Sequence, residues 1–136
     1  MRRFELFTII AMSFVLASCD DVVESRYGNM TEARSDKLFE RGWLPDILPP
    51  STMQIVTKND LDSNQSSGEF RMHLDDFPGF RSQLRECTKD YIDLDELLAN
   101  AKEGYRLFCY KDADSRWLFY INATTGHCKY QMHPTK

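Results

Sequence analysis

The chain has 136 residues, a formal net charge of −4 at pH 7 and 42% hydrophobic residues, values typical of one globular domain with a real core. An acidic chain with scattered Lys and Arg argues against nucleic acid as a partner, because phosphate binding needs a basic face. The same charge argues against electrostatic attraction to anionic lipid headgroups.

The first residues have the order of an export signal. Arg2 and Arg3 are followed by an apolar run over 6–16, LFTIIAMSFVL. This run is shorter than the about 20 residues that a membrane-spanning helix needs, and it fits the about 7–15 residues of a signal-peptide core. The short run and the abrupt charge after it disfavour an uncleaved anchor or a buried N-terminal helix, and the residues around Arg2-Arg3 disfavour twin-arginine export.

The string Leu16-Ala17-Ser18-Cys19 resembles the lipobox of bacterial lipoproteins. The resemblance implies cleavage before Cys19 and fatty acylation of that residue, with palmitate among the acyl chains, so that two or three chains hold the protein stably at a membrane. Asp20 resembles an inner-membrane retention signal of enteric bacteria and favours the periplasmic face of the inner membrane. We therefore predict a signal peptide helix at 1–18 that is not part of the fold, a lipidated tether at 19–28 and one domain at 29–136.

Three helices are predicted from capping residues and helical spacing, over 30–41, 77–86 and 94–103. Asn29 and Glu32 can form the capping box of the first helix, and Asp93 and Glu96 that of the third. The third helix carries an apolar face composed of Leu94, Leu97, Leu98 and Ala101.

Five strands are predicted, at 53–58, 69–74, 105–111, 116–122 and 127–132. Alternation of apolar and polar residues, as in Phe70, Met72 and Leu74, is typical of a strand with one buried face. In the strand at 116–122, Trp117, Phe119 and Ile121 share one face. The short turns between the last three strands indicate an antiparallel meander. The predicted fold is a single α+β domain in which an antiparallel sheet of about five strands has two or three helices packed on one face.

Segment 43–50, called the strap below, contains three prolines and cannot form a regular helix. We expect it to cross the core between helix and sheet. Because aromatic residues favour binding hot spots, the strap is also a candidate partner contact. Its candidate contact residues are Trp43, Leu44, Pro45, Ile47 and Leu48, and the alternative for Trp43 is a place in the core.

Cys87, Cys109 and Cys128 remain after Cys19, and an exported protein meets an oxidising compartment. In a meander, Cys109 and Cys128 lie on strands separated by roughly 9–10 Å, beyond the reach of a disulfide. A bond from Cys87 to either of them is therefore the easier pairing. Three reduced and mostly buried thiols remain the main alternative, with an intermolecular bond as a third.

Two clusters have residue types that could carry chemistry. Asp60, Asp62 and Asn64 resemble the opening of a calcium loop, but Gln65 and Arg71 stand where an EF-hand needs Gly and Glu. A polar turn is the alternative, because such side chains bond their own backbone. The second cluster, a possible acid–base group, is composed of His73, Asp75 and Asp76. No catalytic residue, no metal ligand and no cofactor is predicted from these patterns.

The strap and its flanking residues read Arg41-Gly42-Trp43-Leu44-Pro45-Asp46-Ile47-Leu48-Pro49-Pro50-Ser51. Together with segments 59–62 and 68–70, this string resembles the YbbD head domain. The resemblance, marked by R-G-W-L-P-x-x-L-P, covers about residues 24–74 well and the C-terminal meander loosely. It implies no activity.

From the anchor and the acidic domain, we expect a membrane-tethered, non-enzymatic binding or accessory module of the bacterial cell envelope. Its expected partners are the membrane, through Cys19, and an envelope protein, with no nucleic acid. The alternatives are a small envelope hydrolase or metal-dependent enzyme that uses the acid–base or acidic-loop residues, and an inhibitor or immunity-type lipoprotein.

Overall fold

The computed structural model describes residues 21–136, so the predicted signal peptide, Cys19 and Asp20 lie outside the described residues. The strands are β1 (Val22–Asn29), β2 (Met53–Asp60), β3 (Gln65–Arg71), β4 (Arg106–Lys111), β5 (Ser115–Ile121) and β6 (His127–Pro134). The helices are α1 (Met30–Ser35), α2 (Phe77–Ser82) and α3 (Leu94–Lys102), with 3-10 turns at Leu74–Asp76 and Lys89–Tyr91. Among residues 21–136, no helix is both long enough and apolar enough to cross a membrane.

The six strands form one sheet in the order β1-β2-β3-β6-β5-β4, and every neighbouring pair is antiparallel. The predicted C-terminal meander is present as β4, β5 and β6. β3 pairs with β6, with Phe70 opposite Cys128. This pairing joins the two halves of the chain in one sheet, since β3 and β6 are distant in sequence.

The predicted fold class is wrong. A sheet of about five strands covered by helices was expected, but the structure is mostly a six-stranded sheet with small helices. The missing strand is β1, which occupies most of the predicted tether at 19–28. In β1 only Ser25 and Tyr27 are half-buried, and the other side chains are exposed. A strand at the edge of a sheet needs little apolar surface, so its sequence resembles a polar linker.

The helix predicted over 30–41 ends at Ser35. Its start is capped as predicted, since Glu32 N–H donates to Asn29 Oδ1 at 3.0 Å. Lys37 has a φ of 57°, a left-handed conformation that a right-handed helix cannot contain. The chain therefore turns out of the helix, and Leu38 enters the core.

One face of the sheet, called the core face below, is apolar and is covered by α1, the strap and α2. Phe119 lies at its centre, with its ring 5.3 Å from that of Phe80 in an edge-to-face arrangement. The strands contribute Ile55, Phe70, Phe108, Trp117, Phe119, Ile121, Cys128, Tyr130 and Met132. The covering segments contribute Ala33, Leu38, Trp43, Leu44, Leu48, Phe80 and Leu84.

The helices do not all pack on one face, which corrects the prediction. α3 lies across the opposite face, where Glu96 accepts a hydrogen bond from Gln131 and Asn100 accepts one from Lys129. Gln131 and Lys129 flank the buried Tyr130 along β6, and successive side chains of a strand point to opposite faces. α3 and α1 are therefore separated by the sheet.

Most of the apolar side of α3 does not face the sheet, and of its leucines only Leu97 is half-buried. Leu94 is 63% exposed and Leu98 is 52% exposed, whereas Asn100 is buried. On the sheet side, the helix forms hydrogen bonds through Glu96 and Asn100 to Gln131 and Lys129.

A disulfide joins Cys87 to Cys109, with the Cα atoms 5.1 Å apart. Cys128 is free and buried. The pairing thus starts from Cys87, as strand spacing favoured. Beside the bond, Arg85 and Cys109 exchange two backbone hydrogen bonds of 2.8 Å, which cover part of the outer edge of β4.

Candidate ligand-binding groove

A groove of about 370 Å³ lies on the face of the sheet opposite the core face, beside α3. We call it the polar groove. Its charged and polar lining consists of Glu24, Arg26, Lys58, Ser67, Glu69, Glu96, Tyr120, Lys129 and Gln131. Five of the six strands, all except β4, contribute to it, so the groove exists only when these five strands are assembled.

Strand geometry positions the groove residues. Lys58, Ser67 and Glu69 occupy positions that alternate with the buried Thr57 and Phe70, so they point away from the core. Gly68 lies between them, and a Cβ there would come within 2.0 Å of the Val56 carbonyl oxygen. Glycine thus allows β2 and β3 to approach closely under the groove.

Charges on the β1 and β2 side of the groove are exposed and adjustable. Arg26 Nη2 lies 2.8 Å from Glu24 Oε1, and Lys58 Nζ lies 3.8 Å from Glu24 Oε2. Exposed pairs of this kind contribute only about 0–1 kcal/mol to stability. Their side chains can therefore exchange these partners for a ligand at low cost.

The β6 side of the groove is more firmly held. Lys129 Nζ donates to Asn100 Oδ1 at 3.0 Å and to Glu103 Oε2 at 3.2 Å, and it lies 4.4 Å from the centre of the Tyr105 ring. Gln131 Nε2 donates to Glu96 Oε1 at 2.6 Å. These bonds fix α3 to the sheet and orient one wall of the groove.

His127 joins the same network at the far end of β6. Its Nδ1 lies 2.7 Å from the Tyr105 hydroxyl, and its Nε2 lies 3.4 Å from Glu69 Oε2. Burial lowers the pKa of His127 below its ordinary 6.5, and Glu69 only partly opposes that shift. The neutral ring best satisfies both neighbours when Nε2–H faces the carboxylate and Nδ1 accepts from the tyrosine hydroxyl.

Tyr120 forms part of the groove floor. Burial, together with the nearby carboxylates of Glu96 and Asp93, raises the pKa of Tyr120 to about 12. Its hydroxyl therefore stays protonated at neutral pH and offers a ligand a neutral hydrogen-bonding group.

The structure places most of the predicted strap contacts inside the protein. Trp43, Leu44 and Leu48 belong to the hydrophobic core, and Pro45 is buried too. Ile47 is half-buried and lines a shallow depression with Asp46, Pro49 and Pro50. Only this smaller part of the strap is open to a partner.

Asp60, Asp62 and Asn64, the residues that resemble the opening of a calcium loop, form a turn held by hydrogen bonds to its own backbone. Asp60 Oδ1 accepts hydrogen bonds from the backbone N–H groups of Asp62 and Ser63 at 3.0 and 3.1 Å. Asn64 has a φ of 54°, which suits the turn between β2 and β3. Within residues 21–136, no three His, Cys, Asp or Glu side chains come together in a group that could hold a metal ion.

The proposed acid–base cluster lies at the end of the sheet that carries the strap. His73 and Asp75 are exposed, and His73 N–H donates to Ser51 Oγ at 3.0 Å. Asp75 and Asp76 line the depression beside the strap, together with Phe80. This depression is separate from the polar groove.

Cys128 lies on the core face. Burial raises the pKa of its thiol to about 12, so the thiolate that a nucleophile requires is nearly absent at neutral pH. Its neighbour His127 points to the other face of the sheet, as expected for successive strand residues.

Sequence reasoning did not foresee the groove. The alternation in β3 and β6 already indicated that Glu69, Lys129 and Gln131 share the polar side of their strands. It could not indicate that β1 lies in the same sheet or that β3 pairs with β6. Those long-range pairings are what bring the groove residues together.

Comparison with known proteins gives one match. A model of the YbbD head domain matches residues 21–71, a range that begins just before β1 and ends with β3. No curated protein and no solved structure matches the chain significantly. The resemblance predicted from the sequence is confirmed for this part of the chain, since residues 21–71 match the YbbD head domain family.

Proposed function

We propose that this protein is a lipoprotein of the bacterial cell envelope, held at the membrane by acylated Cys19, and that it is a binding module whose binding surface is the polar groove. The lipobox supports the anchor, and Asp20 favours the periplasmic face of the inner membrane. The one observation that carries the binding role is the groove itself, a concave surface of about 370 Å³ built on strands.

The lining of the groove supports binding more than its size does, since the depression beside the strap has the same volume of about 370 Å³. The volume of the groove lies within the roughly 300–1,000 Å³ of ordinary ligand sites. Acidic and basic side chains alternate around it, with Glu24 and Glu69 near Arg26, Lys58 and Lys129. Such a lining suits a polar ligand with both charge signs, for which a peptide segment of an envelope protein is the simplest candidate.

The anchor is tested by its own variant. Cys19→Ala removes the residue that would be acylated, so we expect the protein to lose its acyl mass and to leave the membrane fraction. Mass spectrometry of the N-terminus and fractionation of cells measure both effects. A native protein without acyl mass would contradict the anchor.

The binding surface is tested by capture of partners with the lipidated protein from its own membrane. A double variant, Arg26→Glu with Lys58→Glu, reverses two exposed charges of the groove. A control variant, Lys89→Glu with Lys102→Glu, makes the same change in net charge at exposed positions outside the groove.

We expect the groove variant to lose at least about tenfold in partner recovery, a change of about 1.4 kcal/mol in binding free energy. The control variant should capture partners as the unmodified protein does. Equal recovery by both variants would show that partners bind elsewhere on the molecule.

A further inference from the structure

Apolar side chains are concentrated where the folded chain begins. Val22 and Val23 are each 47% exposed, and Leu61 is 56% exposed. Val22 pairs with Asp60, and Leu61 N–H donates to the Asp21 carbonyl oxygen at 3.1 Å. These three side chains therefore lie at the same end of the sheet, with Val22 and Val23 on opposite faces of β1, and we call this the anchor end.

The anchor end lies very close in sequence to the proposed lipid attachment. Cys19 precedes Asp21 by two residues. An extended chain spans at most about 3.3–3.6 Å per residue, so Asp21 lies within about 7 Å of the acylated residue. The headgroup layer of one leaflet is about 5–8 Å thick. Acyl chains in the hydrocarbon thus bring the anchor end to the headgroups.

We propose that the anchor end of the sheet is a membrane-contacting surface, in which Val22, Val23 and Leu61 enter the headgroup layer of the bilayer that holds Cys19. This inference rests on the anchor in the proposed function. The segment predicted to be a lipidated tether, 19–28, is largely strand β1. Few residues therefore remain between the lipid and the domain, so the anchor end contacts the bilayer and the opposite end of the sheet points away from it.

The charges at this end determine which lipids fit. Asp21, Asp60 and Asp62 surround the apolar side chains, with Lys58 as the nearby cation that lines the adjoining depression with Val22. Carboxylates do not favour anionic headgroups, so apolar contact supplies the attraction. We therefore assign the surface to a lipid layer that need not carry net charge.

The test places a nitroxide label at either end of the sheet in the full-length, lipidated protein. Leu61→Cys labels the turn between β2 and β3, and Thr124→Cys labels the exposed turn between β5 and β6 at the opposite end. Cys128 is buried and the other two cysteines of the domain are bonded, so the introduced thiol takes the label. The protein is placed in vesicles of phosphatidylcholine and phosphatidylethanolamine.

We expect the label at position 61 to show a higher ratio of oxygen to nickel-complex accessibility than the label at position 124, since the boundary between headgroups and acyl chains holds more oxygen and less of the water-soluble complex than bulk water does. Val23→Cys gives a second reading at the anchor end. If both ends are equally exposed to water while the protein stays on the vesicles, the membrane-contacting surface is wrong and the anchor stands.

The remaining outcomes also decide the question. A protein without acyl mass that stays in solution removes the anchor and this inference together. A label at position 61 that is shielded from both reagents, increasingly so at higher protein density, assigns the anchor end to contact between protein molecules and overturns the membrane assignment.

Discussion

The two faces of the sheet differ sharply along a single strand. In β6, Cys128, Tyr130 and Met132 are buried on the core face, whereas His127 and Lys129 alternate with them on the face of the polar groove and are partly exposed. The backbone is the same for both sets, so the difference lies entirely in the side chains and in what covers them.

The contrast separates stability from recognition. The core face is covered by apolar side chains and gains free energy from the removal of apolar surface from water. The groove face is covered in part by α3 through charged hydrogen bonds such as that of Lys129 to Asn100. Substitutions on the core face should therefore change folding, and those on the groove face should mainly change binding.

The largest expected effect comes from Phe119→Ala on the core face. Phe119 is fully buried and its ring packs near those of Phe70, Phe80 and Trp117. We expect the free energy of unfolding to fall by about 3–5 kcal/mol, measured by chemical denaturation. Lys129→Ala on the groove face should cost about 1 kcal/mol. Equal losses would remove the distinction between the faces.

The disulfide between Cys87 and Cys109 gives the next largest expected effect, on the stability of the whole domain. Cys87 and Cys109 are separated by 22 residues. Replacing both with Ser should lower the free energy of unfolding by about 3 kcal/mol, since the unfolded chain gains freedom. A reducing agent should destabilise the unmodified protein to the same degree and leave the variant unchanged. An unmodified protein insensitive to reductant would contradict this prediction.

A smaller change in stability is expected when alanine replaces either of two glycines, one in a strand and one in a helix. Gly68→Ala places a Cβ within 2.0 Å of the Val56 carbonyl oxygen, and we expect a loss of about 1–3 kcal/mol. Gly79→Ala, in α2, meets nothing within 4 Å and should stabilise the protein by about 0.4–1 kcal/mol. Denaturation of the two variants should show opposite signs. A neutral Gly68→Ala would mean that the strands under the groove can separate.

The smallest effect concerns the titration of His127. Burial lowers its pKa below 6.5, so the unfolded chain binds more protons than the folded one as the pH falls through 6.5. The stability that His127 contributes is thus present above pH 6.5 and is lost below it, towards the folded pKa. Histidine signals in NMR measure this pKa, and Glu69→Gln should lower it further. A pKa at or above 6.5 would contradict burial as the cause.

Local patterns predicted the strands well. Trp117, Phe119 and Ile121 were expected to share one face of their strand, and all three are nearly inaccessible. Leu118 and Tyr120, which point to the opposite face, are buried as well. In the segment 69–74, Leu74 was expected on the buried face with Phe70 and Met72, but it is 44% exposed. A 3-10 turn begins at Leu74, where the period of two no longer applies.

Features that depend on distant contacts could not be predicted from local pattern. α3 was expected to place its apolar side on the sheet, but only Leu97 of its leucines is half-buried, and Leu94 and Leu98 face outward. β1 has too few apolar residues to be recognised as a strand. Both errors arise because the pairing of β1 with β2 and of β3 with β6 decides which surfaces meet.

The burial of Cys128 also bears on how the disulfide forms and persists. Thiol–disulfide exchange requires a thiolate that can reach the bond, and a buried thiol with a pKa raised to about 12 supplies almost none. Once the sheet has closed over Cys128, the Cys87–Cys109 bond cannot be reshuffled by it. Scrambled isomers can therefore arise only before folding is complete, and the folded sheet preserves the correct one.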